Sequence, residues 1–387
     1  MRSLVSRLLL ASLAVAASTF VGLSSPTYAA SGWTSVTSGD DHTCGIRVGR
    51  IYCWGDDTYG QLGDGAAGGS RATPAPIASA ATDWTSVSAG NYHTCAVRAG
   101  RVACWGRDNN GQLGDGTVND TSDATPGLIA SGATDWKSVT AGAYHSCAIR
   151  AGRVACWGLD NQGQLGDGTA SGNDPSPGFI ASGATDWTSV SAGHFHTCAT
   201  RAGRVACWGL DGFGQLGRGA VGSSDPVPRL IASSATDWKS VSTGGYHTCA
   251  IRAGRVACWG YDTNGQLGDG TVSGTPDPSP GFIASGATDW TSVSAAQFHT
   301  CATRLGRVAC WGNDAFGQLG DGTVNATDPT PGFISSGATD WTRVEGGGYF
   351  TCAIRSTLLA CWGSDDAGQL GDGSAGGEAD PIPSLVS

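Results

Sequence analysis

Apolar and polar residues alternate along this chain in short runs, and each run stops at glycine. Trp84-Thr-Ser-Val-Ser-Ala89 alternates and ends at Gly90; Thr94 to Arg98 and Arg101 to Trp105 form the next two runs, and residues 127–130 are a weaker fourth. No window carries the 3.6-residue apolar period of a helix, so the pattern predicts strands throughout. The same set of four runs recurs seven times. Its first Trp falls at 33, 84, 136, 187, 238, 290 and 341, in steps of 51 or 52 residues. A period near 50 residues points to a propeller or a solenoid. Four antiparallel strands per repeat make one propeller blade, so the expected fold is all-β: a seven-bladed β-propeller of four-stranded antiparallel blades. Small residues in the first run, Ser86, Ser88 and Ala89, suit the crowded innermost strand. Val87, Val97 and Val102 are left to pack blade against blade.

The start of the chain breaks the pattern. Arg2 and Arg7 precede an apolar run from Leu8 to Leu23 and then a small-residue stretch ending Thr27-Tyr-Ala-Ala30. Those are the three parts of a secretory signal peptide, with cleavage after Ala29. The run falls short of the roughly 20 apolar residues a membrane-spanning helix needs. The expected organisation is a leader over residues 1–29 and a single seven-repeat domain over residues 30–387, secreted, periplasmic or at the cell surface, with no membrane insertion.

All 14 cysteines are used at two per repeat, always as Cys-x8-Cys. If Ala99-Gly100 is a two-residue hairpin turn, Arg98 faces Arg101, Val97 faces Val102, and Cys95 lies opposite Cys104 at a non-hydrogen-bonded position, where side chains are closest. That register permits a cross-strand disulfide in every blade: Cys44 with Cys53, Cys95 with Cys104, Cys147 with Cys156, Cys198 with Cys207, Cys249 with Cys258, Cys301 with Cys310 and Cys352 with Cys361. Zinc held by His93, Cys95 and Cys104 is the rival reading. Paired thiols in an exported chain favour disulfides.

Six repeats place His two residues before the first Cys, at 42, 93, 145, 196, 247 and 299, while the seventh has Phe350. A metal on the axis is one reading; the preferred one is an imidazole hydrogen-bonded within its own blade. Asp57 and its equivalents, with Asp64 and its equivalents seven residues on, could ligate calcium. Arg218 stands at the second of these positions in the fourth repeat and is incompatible with a cation there, so the aspartates are read as acceptors for turn amides. No metal and no cofactor is expected. Nor is a catalytic constellation, because each candidate acid, base or thiol recurs in most blades, whereas an active site should depart locally from the repeat.

Charge changes the picture through its placement. Without the leader the chain has 20 basic against 32 acidic side chains, a net charge of −12, which disfavours nucleic acid as a partner. Thirteen arginines, Arg47 and Arg50 through to Arg355, flank the hairpin turns on one face, together with Asp83, Asp135, Asp186, Asp237, Asp289 and Asp340. This turn face is nearly constant from repeat to repeat and reads as a uniform field. The opposite, loop face drifts. One variable pair of positions runs Asp40-Asp41, Asn91-Tyr92, Ala143-Tyr144, His194-Phe195, Gly245-Tyr246, Gln297-Phe298 and Gly348-Tyr349; a second contributes Tyr59, Phe213 and Phe316. Aromatics among Asp, Asn and Gly on the loops of a rigid scaffold are the makings of a binding surface. Asp40, Asp41, Tyr59, Asn91, Tyr92, Tyr144, His194, Phe195, Phe213, Tyr246, Gln297, Phe298, Phe316 and Tyr349 are therefore the candidate partner-binding residues.

Gly-x-x-His, a hairpin and then Trp-Gly-x-Asp-x-x-Gly-Gln-Leu-Gly resembles the regulator of chromosome condensation repeat over the whole chain after the leader. The resemblance implies a seven-bladed propeller and a role in binding other proteins. One member of that family is a nucleotide exchange factor for a nuclear GTPase; another is a secreted bacterial inhibitor that grips its target enzyme through aromatic and acidic loops. Paired cysteines, a leader and Asp in place of the usual Asn after Trp-Gly set this chain apart from the nuclear members and align it with a secreted bacterial type. The expected function is a secreted, monomeric interaction module, not an enzyme, that takes a protein or a surface polysaccharide on its loop face. The alternatives are a cell-envelope structural protein touching anionic polymers through the arginine ring and, behind it, a propeller hydrolase or lyase.

Overall fold

A computed structural model describes residues 30–377 and 379–387; the leader expected over residues 1–29 lies outside the described residues. Blade 1 consists of β1 (Trp33–Ser38), β2 (His42–Arg47), β3 (Arg50–Asp56) and β4 (Ser70–Pro76), paired antiparallel in that order from the axis outward. Six more blades repeat this order, for 28 strands in seven sheets among the described residues. Among the described residues no helix is long and apolar enough to cross a membrane.

The expected hairpin register holds. In blade 2, Arg98 pairs with Arg101, Val97 with Val102 and Cys95 with Cys104. Ala99 and Gly100 turn the chain with φ of 46° and 68°, both in the left-handed region that a two-residue hairpin requires. A Cβ on Gly100 would fall 2.0 Å from the Thr134 carbonyl oxygen, so glycine is needed there for space as well as for φ. With the register fixed, each Cys pair sits at a close non-hydrogen-bonded position, and all seven disulfides form, with Cα atoms 4.0–4.1 Å apart.

The fourth strand differs from expectation. In blade 2 it covers Asp123–Leu128, earlier than the apolar stretch 127–130. At the outer edge a strand makes hydrogen bonds on one side only, so Pro126 is tolerated. Ile129 follows the strand and plugs the seam, 5 % exposed.

The core lies between blades. One cluster joins Ile46, Ile51 and Leu62 of blade 1 to Trp84, Val87, Ala96 and Trp105 of blade 2, and equivalents fill the other seams. A polar lattice runs alongside. Thr94 Oγ1 and Trp105 Nε1 of blade 2 both donate to the Gln61 carbonyl oxygen of blade 1, each at 2.9 Å. Gly63 permits this approach, since a Cβ there would fall 2.5 Å from Trp105 Nε1.

The six histidines belong to the same lattice, which corrects the expectation that each bonds within its own blade. His42 Nε2 meets Thr94 Oγ1 of the next blade at 2.9 Å, and His93, His145, His196, His247 and His299 repeat the contact at 2.8–2.9 Å. Because the hydroxyl already donates to Gln61 O, it accepts from the ring, which places the imidazole proton on Nε2. Burial lowers these side chains to about 4 at His42 and about 3 at the other five.

Among the described residues no strand is exchanged at closure; blade 7 is complete within its own repeat. The ring shuts with the lattice used elsewhere, Thr43 Oγ1 and Trp54 Nε1 donating to Gln369 O. Phe350 packs where an imidazole would stand. Gly32 N and Trp33 N add bonds to Thr357 O at 3.0 and 3.1 Å.

Candidate functional site

The loops between the first and second strands, and those after the third, converge on one face. The loop after β3 is held by its own aspartate: Asp57 Oδ1 accepts the Leu62 amide at 3.0 Å, and all seven blades repeat the bond at 2.9–3.0 Å. Leu62 is thereby pinned as an apolar plug, 2 % exposed. In blade 4, Arg218 is paired with Asp225 and donates to Cys207 O at 2.9 Å. Among the described residues no group of three or more His, Cys, Asp or Glu gathers as metal ligands.

Two concentric rings result. The inner positions, Asp40, Asn91, Ala143, His194, Gly245, Gln297 and Gly348, line the mouth of a narrow axial cavity of about 90 Å³. Burial, with Asp41 adjacent, raises Asp40 to about 7, while burial lowers His194 to about 4. The mouth therefore carries a neutral imidazole, and a carboxyl that titrates near neutrality. Asp41 is raised too, first by burial and then by Asp56 and Asp366. Blades 7 and 1 thus meet in an acidic notch.

The outer positions bring their rings into contact across blade boundaries. Tyr92 lies 6.1 Å from Tyr144, Tyr144 5.7 Å from Phe195, and Phe195 6.4 Å from Tyr246, centroid to centroid. Tyr59 joins at 5.5 Å from Tyr92, and Phe213 at 5.2 Å from Tyr246. Phe298, Tyr349 and Phe316 form a separate group, at 5.6 and 5.0 Å. Asp41 holds the equivalent place in blade 1, so one aromatic arc spans blades 1 to 5 and a shorter one spans blades 6 and 7.

Two residues outside the expected set belong to this face, and a third lies in a strand beneath it. Tyr261 lies 5.0 Å from Phe213, and the Arg107 guanidinium lies 4.8 Å from the Tyr59 centroid and 5.3 Å from that of Tyr92. Both follow the Trp-Gly pair, where the other repeats have Asp56, Leu159, Leu210, Asn313 and Ser364. This is a third variable position that comparison of the repeats would have exposed. The third residue is Glu345, in the first strand of blade 7, where the other blades carry Ser or Thr. Burial raises it to about 7, and Ser294 Oγ donates to it at 3.4 Å. Its signal was composition, since Glu occurs only twice in the chain.

The turn face holds the expected ion pairs. Arg98, Arg150, Arg201, Arg252, Arg304 and Arg355 each bind the aspartate that leads into their own blade, at 2.8–3.1 Å. It is not uniform, however. Arg153, Arg255 and Arg307 lie on Phe rings, whereas Arg101 and Arg204 do not.

A model of the RCC1-like domain matches residues 19–288, and one of the Regulator of chromosome condensation (RCC1) repeat matches residues 306–354. The chain is 31% identical over 304 residues to the Ultraviolet-B receptor UVR8 of Arabidopsis thaliana, covering 76% of this chain and 68% of the receptor. It is 29% identical over 341 residues to the human E3 ubiquitin-protein ligase HERC2, covering 84% of this chain but 7% of the ligase. Yeast RCC1 (Prp20), solved bound to Kap60, superimposes with a TM-score of 0.76 at 20% identity, over 87% of this chain and 83% of that one. Human WBSCR16 gives 0.75 at 20% identity, over 84% and 87%. Both show the shared fold.

Proposed function

The chain belongs to the RCC1-like family of propellers, and from that premise we propose that it is an exported, monomeric interaction module whose loop face docks a partner protein. The observation that carries this reading is the aromatic arc. Rings that touch from blade to blade make one continuous, half-buried surface instead of isolated side chains, and binding energy concentrates in such anchors. Yeast RCC1 (Prp20), which shares this fold, has been solved bound to a protein, Kap60. Export is supported by seven disulfides and no free cysteine among the described residues. The acidic notch beside the arc suits a partner with a basic edge.

The envelope alternative draws less support, because most arginines of the turn face are already engaged by aspartate or phenylalanine, and exposed pairs add little binding field. The test is capture of partners from culture supernatant by the mature protein, followed by affinity measurement with the Tyr144→Ala/Phe195→Ala variant. Binding should weaken at least about thirtyfold, on the order of 2 kcal/mol, with little change in melting temperature. Unchanged affinity in the variant would reject the loop face; a large fall in melting temperature would show that the two rings serve the core.

A further inference from the structure

Seven-fold repetition conceals a difference on the turn face. In blades 2 to 7 the fourth strand pairs near its end with an alanine of the third, and in blades 3, 5 and 6 the paired residue is Phe179, Phe282 or Phe333. The arginine that opens the third strand of the same blade covers that ring. Arg153, Arg255 and Arg307 each lie 3.6 Å from the ring centroid. Blades 2 and 4 have Leu128 and Leu230 at the same register, opposite Ala103 and Ala206. Their arginines, Arg101 and Arg204, are exposed where the stacked three are half-buried. Neither enters any of the ion pairs of the described residues. A cavity opens beside each, about 430 Å³ in blade 2 and about 300 Å³ in blade 4, lined by Trp84, Pro126 and Leu128 in the first and by Trp187, Pro228 and Leu230 in the second.

We propose that these two cavities are receptor sites for an aromatic side chain of a partner protein, the guest ring lying beneath Arg101 or Arg204 as the protein's own phenylalanines lie beneath Arg153, Arg255 and Arg307. The three filled blades supply the template. They show that this backbone and this arginine accept a ring, and that the guanidinium settles on its face, where the quadrupole is negative. In blades 2 and 4 the apolar walls and the free cation remain while the ring is missing. A guest would cover Leu128 and Leu230, 53 % and 45 % exposed, and would gain the attraction the cation now spends on water. The inference is independent of the loop face, which lies at the other end of the blades.

The test uses the arginine side-chain N–H signals of the nitrogen-15-labelled mature protein, titrated with N-acetyl-phenylalanine amide and, in parallel, N-acetyl-leucine amide. Arg101 and Arg204 should shift saturably in the millimolar range, with the phenylalanine probe at least about threefold tighter than the leucine probe. Leu128→Phe/Leu230→Phe should abolish both responses at an unchanged melting temperature, because the new rings occupy the sites. Phe179→Leu should make Arg153 respond. No shift in the parent, equal response to the two probes, or a response that survives Leu128→Phe/Leu230→Phe would each overturn the proposal.

Discussion

The two faces of this ring are made from the same repeat yet are wired differently. On the loop face the side-chain contacts run between blades: Tyr92 to Tyr144 to Phe195 to Tyr246. On the turn face they run within a blade, as in Arg98 with Asp83 or Arg153 on Phe179. Contacts between blades merge the seven small surfaces into two arcs, so a substitution in one loop is felt by its neighbours. Contacts within a blade keep each surface separate, so single blades can change alone, as blades 2 and 4 have done. Both faces depend on the lattice beneath them, in which Gln61 O holds Thr94 and Trp105 across one seam and equivalent glutamines repeat the contact at the others.

The most severe way to break the comparison is to remove that lattice from one seam. Deleting residues 136–186, one whole repeat, should abolish the cooperative thermal transition and yield aggregates in gel filtration, because the opened ring exposes blade faces and strand edges. A monomeric six-repeat protein melting like the parent would show that the blades do not need closure.

A smaller effect separates the faces by salt. Arg150→Glu/Arg153→Glu should alter mainly the ionic-strength dependence of any loop-face complex, with affinity at physiological salt within about threefold of the parent. Loss of binding by this variant would place the partner on the turn face. The lattice can also be probed through pH. Asp108, beneath the loop face, is raised from 3.8 to about 7, chiefly by burial. Its charged form is therefore costly in the folded state: stability is withheld above pH 7 and regained as pH falls toward 4. Asp108→Asn keeps an acceptor for Leu113 N without that cost. It should stabilise the protein at pH 8 by at least ~1.4 kcal/mol, the equivalent of one pKa unit, and the advantage should fade by pH 4. The histidines have the opposite sign. With folded values of about 3 to 4 against 6.5, they withdraw stability as pH falls below 6.5, and chemical denaturation across pH 4 to 8 would resolve the two trends. The smallest effect belongs to the exposed pairs: Asp83→Asn should cost no more than about 1 kcal/mol, and a larger loss would show that the turn face helps to hold the ring.

Much of this was legible because seven copies act as an internal alignment. Trp spacing gave the blade count, and the Ala99-Gly100 turn fixed the register that brings Cys95 to Cys104. Whatever lies one repeat away was not legible. The local spacing of His42 says nothing of Thr94, 52 residues on, and so points the imidazole only to its own blade. Phe179 and Leu128 hold equivalent places in the fourth strand, and local spacing does not separate them; the difference lies in Arg153 on one ring and Arg101 beside an open cavity. Tyr261 and Arg107 stand directly after the Trp-Gly pair, at a position that varies from repeat to repeat. Of the candidate site, the aromatics can be read from sequence; their merging into an arc cannot, because it depends on the angle between blades.

The disulfides carry one further consequence, for the order of events in folding. Each joins residues nine positions apart in a single hairpin. A chain emerging into an oxidising space from its N-terminus can therefore complete each bridge as soon as that hairpin has formed, while the next pair of thiols is still unavailable to compete. Closing so short a loop is fast compared with disulfide exchange. Of all the pairings open to 14 cysteines, sequential emergence into such a space would select the native set without an isomerase having to search for it, and the ring would then assemble from blades already locked.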